Sequence, residues 1–285
     1  MLFANPRFPG LGLEMLSLAQ LRDRVPLHQR RGRSRPDFHQ LMLIESGATE
    51  HDIDFERHRC RAGTMLHLRP GQVQRYVRDA PAEGWVLLFQ AEFVPPEPLL
   101  EARLGPSDAA AITLAARDLA PIGAAVRALA LAYEAADGQP GSARVLQHLL
   151  VALLLQLARA HDQASPGASL QPPGTLRVYR RFLQELEQQF ASTREVAAYA
   201  GRIGCSTKTL VRACAALAGV SPKRLIERRV VLEAKRLLAH SALAVSAIGL
   251  ELGFTEPTNF VKFFRRCEDL TPAAFRDRAA PALTA

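Results

Sequence analysis

The sequence is poor in cysteine, in aromatic residues and in lysine, and the scarcity of cysteine bears most directly on the class of protein. Its four cysteines are Cys60, Cys205, Cys214 and Cys267. They are too few and too scattered for a disulfide scaffold, and no C-x-x-C pair offers zinc-ligand spacing. The sequence therefore predicts a protein of the reducing cytoplasm that holds no metal ion and no other cofactor.

Long hydrophobic runs are also missing. No stretch approaches the roughly eighteen uninterrupted apolar residues of a membrane span. The first residues, MLFANPRFPGLGLEML, have neither a basic region ahead of an apolar core nor a small-residue cleavage site. We therefore expect neither a membrane partner nor a secretory signal.

Excess charge is absent from the first part of the chain and concentrated in the last part. Residues 1–174 hold 18 Arg and no Lys against 18 acidic residues. Residues 175–285 hold 14 Arg and 4 Lys against 10 acidic residues, so the whole net charge of +8 lies there. A neutral part joined to a basic part suggests that only the second meets a polyanion, although an Arg-rich solvated surface would look the same.

The distribution of secondary-structure signals divides the chain into two domains. Residues 36–94 contain short alternating or apolar runs separated by turn residues, which is typical of an antiparallel barrel or sandwich. From about Pro106 the pattern becomes helical. The stretch at 163–174 is rich in Ser, Pro, Gly and Gln, which predicts a linker. We predict an α+β protein with a first domain of strands and helices at 1–162, a linker at 163–174 and an all-α domain at 175–285.

The strongest helical pattern in the first domain runs from Ala143 to Ala160 and places leucines on one broad face. This face has two interpretations. It packs against its own domain, or it pairs with the same helix of a second chain and makes a homodimer.

The basic part repeats itself at an offset of 49 residues. EVAAYAGRIGC at 195–205 aligns with AVSAIGLELGF at 244–254, and the offset becomes 50 after the shared glycine. Each copy has the layout of a helix-turn-helix, in which the glycine allows the turn and apolar positions anchor the second helix. The segment between the copies predicts one helix of roughly nineteen residues, about 28 Å long, which would hold two reading helices near the roughly 34 Å repeat of the major groove.

These residues resemble the AraC family of bacterial transcription regulators. The resemblance is carried by SPKRLIERRVVLEAKRLL, IGLELGFTEPTNFVKFFRR and LTPAAFRD, and by PDFHQLMLIESG and GTMLHLRPGQVQRY in the first part. It implies a cupin-like antiparallel β-barrel with helices, followed by a domain with two helix-turn-helix motifs. Val230 departs from the family pattern, because an arginine is usual there and Arg229 stands beside it.

The repeat and the resemblance together predict which side chains meet double-stranded DNA. The first reading helix turns Leu210, Cys214 and Leu217 toward the core of the domain. The second turns Phe260, Phe263 and Phe264 toward it. Their opposite faces can reach base edges or phosphates. The predicted DNA-binding residues are Thr207, Lys208, Val211, Arg212, Pro257, Thr258, Val261, Lys262, Arg265 and Arg266.

The resemblance also implies a small-molecule effector in the barrel, with His39, His67, Gln74 and Tyr76 as its polar lining. No H-x-H pair is present, so no metal site is expected. No catalytic constellation stands out, so we expect no enzyme. The alternative is an effector-independent regulator whose barrel only dimerises. RNA polymerase would be a further partner of an activator.

Overall fold

The computed structural model describes residues 1–102, 110–164 and 173–279 and divides the chain into two compact units. The N-terminal unit is Met1–Ser169 and the C-terminal unit is Leu170–Ala285. Of the predicted linker, residues 163–164 and 173–174 belong to helices. Residues 165–172 lie outside the described part of the chain.

The N-terminal unit is built on a six-stranded antiparallel sheet. The strands are β1 (Leu13–Ser17), β2 (His39–Ile53), β3 (Glu56–Arg61), β4 (Thr64–Leu68), β5 (Gln74–Phe89) and β6 (Ala111–Thr113). Their order in the sheet is β1-β5-β2-β4-β6, and β3 pairs with the far half of β2. Bulges in the ladder between β2 and β5 interrupt the register and allow these two long strands to bend.

Both faces of this sheet are buried, and the alternation of the strands separates them. Leu41, Leu43 and Met65 point to a core shared with the long helices. Their neighbours Met42 and Leu66 point to a second core on the other face. Because side chains alternate along a strand, successive buried residues of β2 and β4 point in turn to one and then the other of these two cores.

The described residues of the N-terminal unit also form five α-helices. They are α1 (Leu18–Arg24), α2 (Leu27–Arg31), α3 (Pro96–Glu101), α4 (Ala116–Glu134) and α5 (Pro140–Ala164). Ser17 caps α1 in a reciprocal capping box with Gln20. Helix α5 is long and apolar enough, by length and composition, to cross a membrane, but such a helix is also found in the core of a soluble protein.

The leucine face of α5 packs inside its own unit. Leu146, Leu150, Leu153, Leu154 and Leu157 are each at most 1% exposed and belong to the core shared with the sheet. The interpretation in which these leucines pair with a second chain is therefore wrong, because their surface is already covered within one chain. A different face of α5 remains open to solvent.

The described C-terminal unit is all helical. Its helices are α6 (Pro173–Gln189), α7 (Val196–Arg202), α8 (Thr207–Ala218), α9 (Pro222–His240), α10 (Val245–Glu251), α11 (Pro257–Glu268) and α12 (Pro272–Ala279). The hydroxyls of Ser206 and Ser221 accept backbone N–H bonds at the starts of α8 and α9. Glu195 occupies the cap position of α7 and makes no side-chain cap hydrogen bond, so Ser192 and Glu195 do not form a capping box despite having its spacing.

Candidate DNA-binding surface and effector cavity

Helix α8 separates a buried face from an exposed basic face. Leu210, Ala213 and Cys214 are at most 1% exposed. Leu217, which the spacing assigns to the core, is only half-buried. The predicted contact residues all lie on the solvent side, where the structure exposes Thr207, Lys208, Val211 and Arg212.

Helix α11 shows the same division at the equivalent place in the second motif. Phe260 and Phe264 are fully buried and Phe263 is partly buried against the same core. Val261 is half-buried, and Arg266 is exposed but donates to the Glu227 carboxylate over 2.8 Å. The remaining predicted residues are exposed, namely Pro257, Thr258, Lys262 and Arg265.

The turn of the second motif is locked to the loop that precedes the first. Gly253 has φ +74°, and a Cβ there would lie 1.9 Å from the carbonyl oxygen of Ala191. The Arg194 guanidinium donates to the carbonyl oxygen of Leu252 over 2.5 Å, and its carbon lies 3.6 Å from the ring centroid of Phe254. These contacts hold α7 and α10 in fixed relative positions. Sequence reasoning missed Arg194, because nothing local marks it.

The long helix α9 is fixed to α6 by an ionic network with little solvent exposure. Arg229 donates to Glu187 over 2.8 Å and to Glu233 over 3.1 Å. Arg236 donates to the same Glu233 oxygen over 3.1 Å. Val230, the departure from the family pattern, is fully buried in the core. Arg229 thus fills an ionic role while its neighbour contributes to packing.

A cavity of about 350 Å³, here called the N-terminal cavity, opens in the N-terminal unit. Its walls come from the first four residues, from α1 and α2, and from strands β1, β2 and β5. The lining is mostly apolar, with polar groups from Gln29, Ser34, Gln40, Gln74 and Tyr76 and two cations, Arg24 and Arg30. The volume falls within the usual range of small-molecule sites.

Two of the predicted effector residues lie in this cavity and two do not. Gln74 and Tyr76 line it. The Oε1 atom of Gln74, whose residue is 6% exposed, has no hydrogen-bond partner among the described residues. His39 and His67 do not line the cavity. They share a face of the sheet with Leu41, and this face is opposite to the one that borders the cavity.

His39 and His67 instead form a buried stacked pair. The Nδ1 atom of His39 lies 2.9 Å from Nε2 of His67, and the His39 ring stacks on Phe89. Burial lowers the pKa of His39 to about 4, with a smaller contribution from the charge of Arg69. Burial also places the pKa of His67 well below its usual value. Both rings are therefore neutral at pH 7, and one donates to the other. In the described part of the chain, no group of three or more His, Cys, Asp or Glu side chains is suited to a metal ion.

Comparison with known proteins gives matches to both units. Residues 17–171 match the AraC-like ligand binding domain and residues 199–278 match a helix-turn-helix domain. The activator RhaS of Escherichia coli O139:H28, described as an HTH-type transcriptional activator, is 33% identical over 91 residues, which are 32% of this chain and 33% of RhaS. The match therefore spans about a third of the length of these curated relatives.

Solved structures with similar architecture include two bacterial regulators. An AraC-type regulator from Chromobacterium violaceum is 21% identical, with a TM-score of 0.35, over 39% of this chain and 99% of its own. ToxT from Vibrio cholerae O395 is 11% identical, with a TM-score of 0.45, over 95% of this chain and 99% of its own. The matched family consists of transcription regulators, so the prediction that the chain is not an enzyme is confirmed. The two family matches cover most of the sequence, and the chain belongs to the AraC family of DNA-binding transcription regulators.

Proposed function

We propose that the C-terminal unit reads a specific operator by placing α8 and α11 in successive major grooves of one duplex. The observation that carries this proposal is the exposed basic face that each of the two equivalent helices presents beside a buried apolar face. Helix α9 between the motifs has nineteen residues. Its length of about 28 Å, with the flanking turns, suits the roughly 34 Å groove repeat.

The chemistry of each side chain assigns it a role. Arg212 makes a bidentate contact with guanine, Lys208 contacts a guanine or a phosphate, and Val211 meets a thymine methyl group. On α11, Thr258 and Lys262 face the base edges, with Pro257 and Val261 beside them. Arg265 contacts phosphate, and Arg266 does so only by giving up or sharing its bond to Glu227.

Selection of bound genomic fragments with the purified full chain gives the operator. Arg212→Ala and Lys262→Ala should then each weaken operator binding by about 1–3 kcal/mol and relax discrimination at one base pair. The matched control is Arg144→Ala, which removes an exposed arginine of the N-terminal unit. Unchanged affinity and base preference in both variants would refute the assignment, and equal affinity for random duplexes at matched salt would indicate non-specific binding.

We further propose that a small molecule in the N-terminal cavity controls this binding. The support is the cavity's size and its buried, unsatisfied Gln74 oxygen. A ligand that prefers the native state raises the melting temperature of the N-terminal unit. A metabolite panel with no stabilising compound would favour the alternative, a regulator without effector whose N-terminal unit only dimerises.

We propose that the homodimer forms through the outer face of α5 rather than through its buried leucines. Val145 and Leu155 are 54% and 44% exposed. With His148, Ala152 and Arg159 they form an exposed stripe at the spacing of a helix-pairing seam. Val145→Glu combined with Leu155→Glu should convert a dimer to a monomer in sedimentation analysis, whereas Arg144→Ala should not. Unchanged mass would exclude this face.

Activation of transcription, and with it contact with RNA polymerase, is a proposal drawn from the relatives described as activators. A regulator of this kind works on DNA in the cytoplasm. Transcription in vitro from a promoter next to the selected operator tests the direction. More transcript with the protein supports activation, and less transcript supports repression.

A further inference from the structure

The N-terminal cavity has a polar corner, and its composition indicates the chemical class of the ligand. Ser34 and Gln74 are joined by two backbone hydrogen bonds of 2.8 and 2.9 Å. Tyr76 lies two residues further along the same face of β5, and the guanidinium carbon of Arg30 lies 5.9 Å from its ring centroid. From these contacts we propose that the cavity binds a small apolar monocarboxylate that also carries a hydroxyl or N–H donor. The inference rests on the proposed control by a small molecule.

The charge of the lining favours an anion. Arg24 and Arg30 line the cavity, and no Asp or Glu is among the described residues that line it. Glu14 lies outside this lining and pairs with Arg24. A guanidinium has five N–H donors, so Arg30 can bind a carboxylate while it keeps a contact within the protein. A cationic ligand would instead face like charge in a half-buried site.

The unsatisfied oxygen of Gln74 requires a donor from the ligand. This residue is 6% exposed, and its Oε1 atom has no partner among the described residues. A buried acceptor left without a partner has a free-energy cost, because it has lost its hydrogen bonds to water and gained none in the protein. A ligand hydroxyl or N–H next to the carboxylate would remove this cost. A simple carboxylate, which only accepts hydrogen bonds, would not.

The rest of the lining favours an apolar body and limits its size. Nine apolar residues surround the space: Met1, Leu2, Phe3, Ala4, Leu16, Leu21, Val25, Phe38 and Leu88. A sugar, with a hydroxyl on nearly every carbon, would leave polar groups unsatisfied against this wall. At roughly 30 Å³ for each non-hydrogen atom, as for a water molecule in the liquid, 350 Å³ holds roughly a dozen such atoms.

The test uses the full chain and probes matched in size. Trp85 is the single tryptophan and lies in the N-terminal unit, so its fluorescence follows the melting of that unit. The probes are 3-(4-hydroxyphenyl)propionate and 3-hydroxydecanoate, each with its primary amide and with the acid that lacks the hydroxyl. Tyramine serves as the cationic probe. At least one hydroxy acid should raise the melting temperature, and its amide should bind at least tenfold more weakly.

Two variants connect the effect to the named groups. Arg30→Gln should abolish the difference between acid and amide, and the control Arg31→Gln, an exposed neighbour that does not line the cavity, should preserve it. Gln74→Leu should abolish the preference for the hydroxylated acid.

Three outcomes would overturn the proposal, and each refutes a different part of it. If the amides or tyramine bind as well as the acids, the class is wrong but control by a small molecule survives. If the acid preference persists in Arg30→Gln, the assigned corner is wrong. If no probe of any charge binds, the carboxylate is wrong, and the wider metabolite panel decides whether any effector exists. Operator binding by α8 and α11 is measured separately in every case.

Discussion

Substituting the two turn glycines with alanine should have very different costs, although their backbones are nearly the same. Gly204 has φ +72° and Gly253 has φ +74°. Alanine in this left-handed region costs about 1–2 kcal/mol at either position. A Cβ at residue 204 would meet nothing within 4 Å, whereas a Cβ at residue 253 would lie 1.9 Å from the backbone oxygen of Ala191. Only the second substitution forces the loop before α7 to withdraw.

The loop that would withdraw also carries Arg194. Withdrawal removes its charged hydrogen bond to Leu252, worth about 1.5–3 kcal/mol. It also removes the stacking of its guanidinium on Phe254, worth about 0.5–2 kcal/mol. We therefore expect Gly204→Ala to destabilise the C-terminal unit by about 1–2 kcal/mol. Gly253→Ala should cost about 3 kcal/mol more, from these two losses together.

Urea unfolding of the full chain measures the difference. Far-UV circular dichroism follows the helices, and Trp85 fluorescence reports on the N-terminal unit as an internal control. With a urea slope of about 1–3 kcal/mol per molar, the midpoint of the C-terminal unit should fall by about 1 M or more further in Gly253→Ala than in Gly204→Ala. Equal shifts in the two variants would refute the reasoning from the Ala191 contact, and a shift of the Trp85 transition would show that the effect is not local.

Three further predictions follow from the same structure. The pKa values of His39 and His51 are lowered to about 4, mainly by burial, so the unfolded chain takes up their protons first as the pH falls. The free energy of unfolding of the N-terminal unit should then be constant above pH 6.5 and fall between pH 6.5 and about 4. Each histidine should contribute a slope of about 1.4 kcal/mol per pH unit, and Trp85 fluorescence follows the unfolding. A flat profile across that window would contradict the burial of these rings. Arg194→Met keeps much of the apolar stem of the side chain but loses the guanidinium. In an electrophoretic titration it should weaken binding to an operator that spans two major grooves more than binding to half of that operator. Equal losses of affinity would show that Arg194 does not set the spacing of the two motifs. Arg229→Met leaves Glu187 without this guanidinium and removes one of the two arginines that donate to Glu233, while Arg236 still donates to it. The free energy of unfolding of the C-terminal unit should fall by about 3 kcal/mol, measured by urea midpoint. A change under about 1 kcal/mol would show that the network adds little.

Local signals in the sequence were sufficient for the C-terminal unit. Helix propensity, capping serines at 206 and 221 and the spacing of apolar residues predict the helices that the structure contains. The exposed faces of α8 and α11 follow from the same spacing, because the turn of a helix fixes which residues share a side. Leu217 is the exception, since its half-burial depends on how far the neighbouring helices extend along α8.

Period-two alternation was less informative in the N-terminal unit. It shows that His39 and Leu41 share a face of β2, but it does not show which face borders the cavity when both faces are buried. Strand β1 is five residues long and has no distinctive pattern, and it forms because β5 pairs with it along its whole length. The N-terminal cavity depends on residues from the first forty positions and from β5, which only folding brings together.

The sequence by itself determined that this chain has a basic, duplicated helix-turn-helix unit and which side chains those helices expose, because helix geometry is a property of neighbours in the chain. Only the tertiary structure decided that the α5 leucines pack inward, that His39 and His67 lie away from the cavity, and that Arg194 joins the two motifs. Each of these features depends on contacts between residues distant in sequence. Their geometry is set by the packing of whole elements and not by any local pattern.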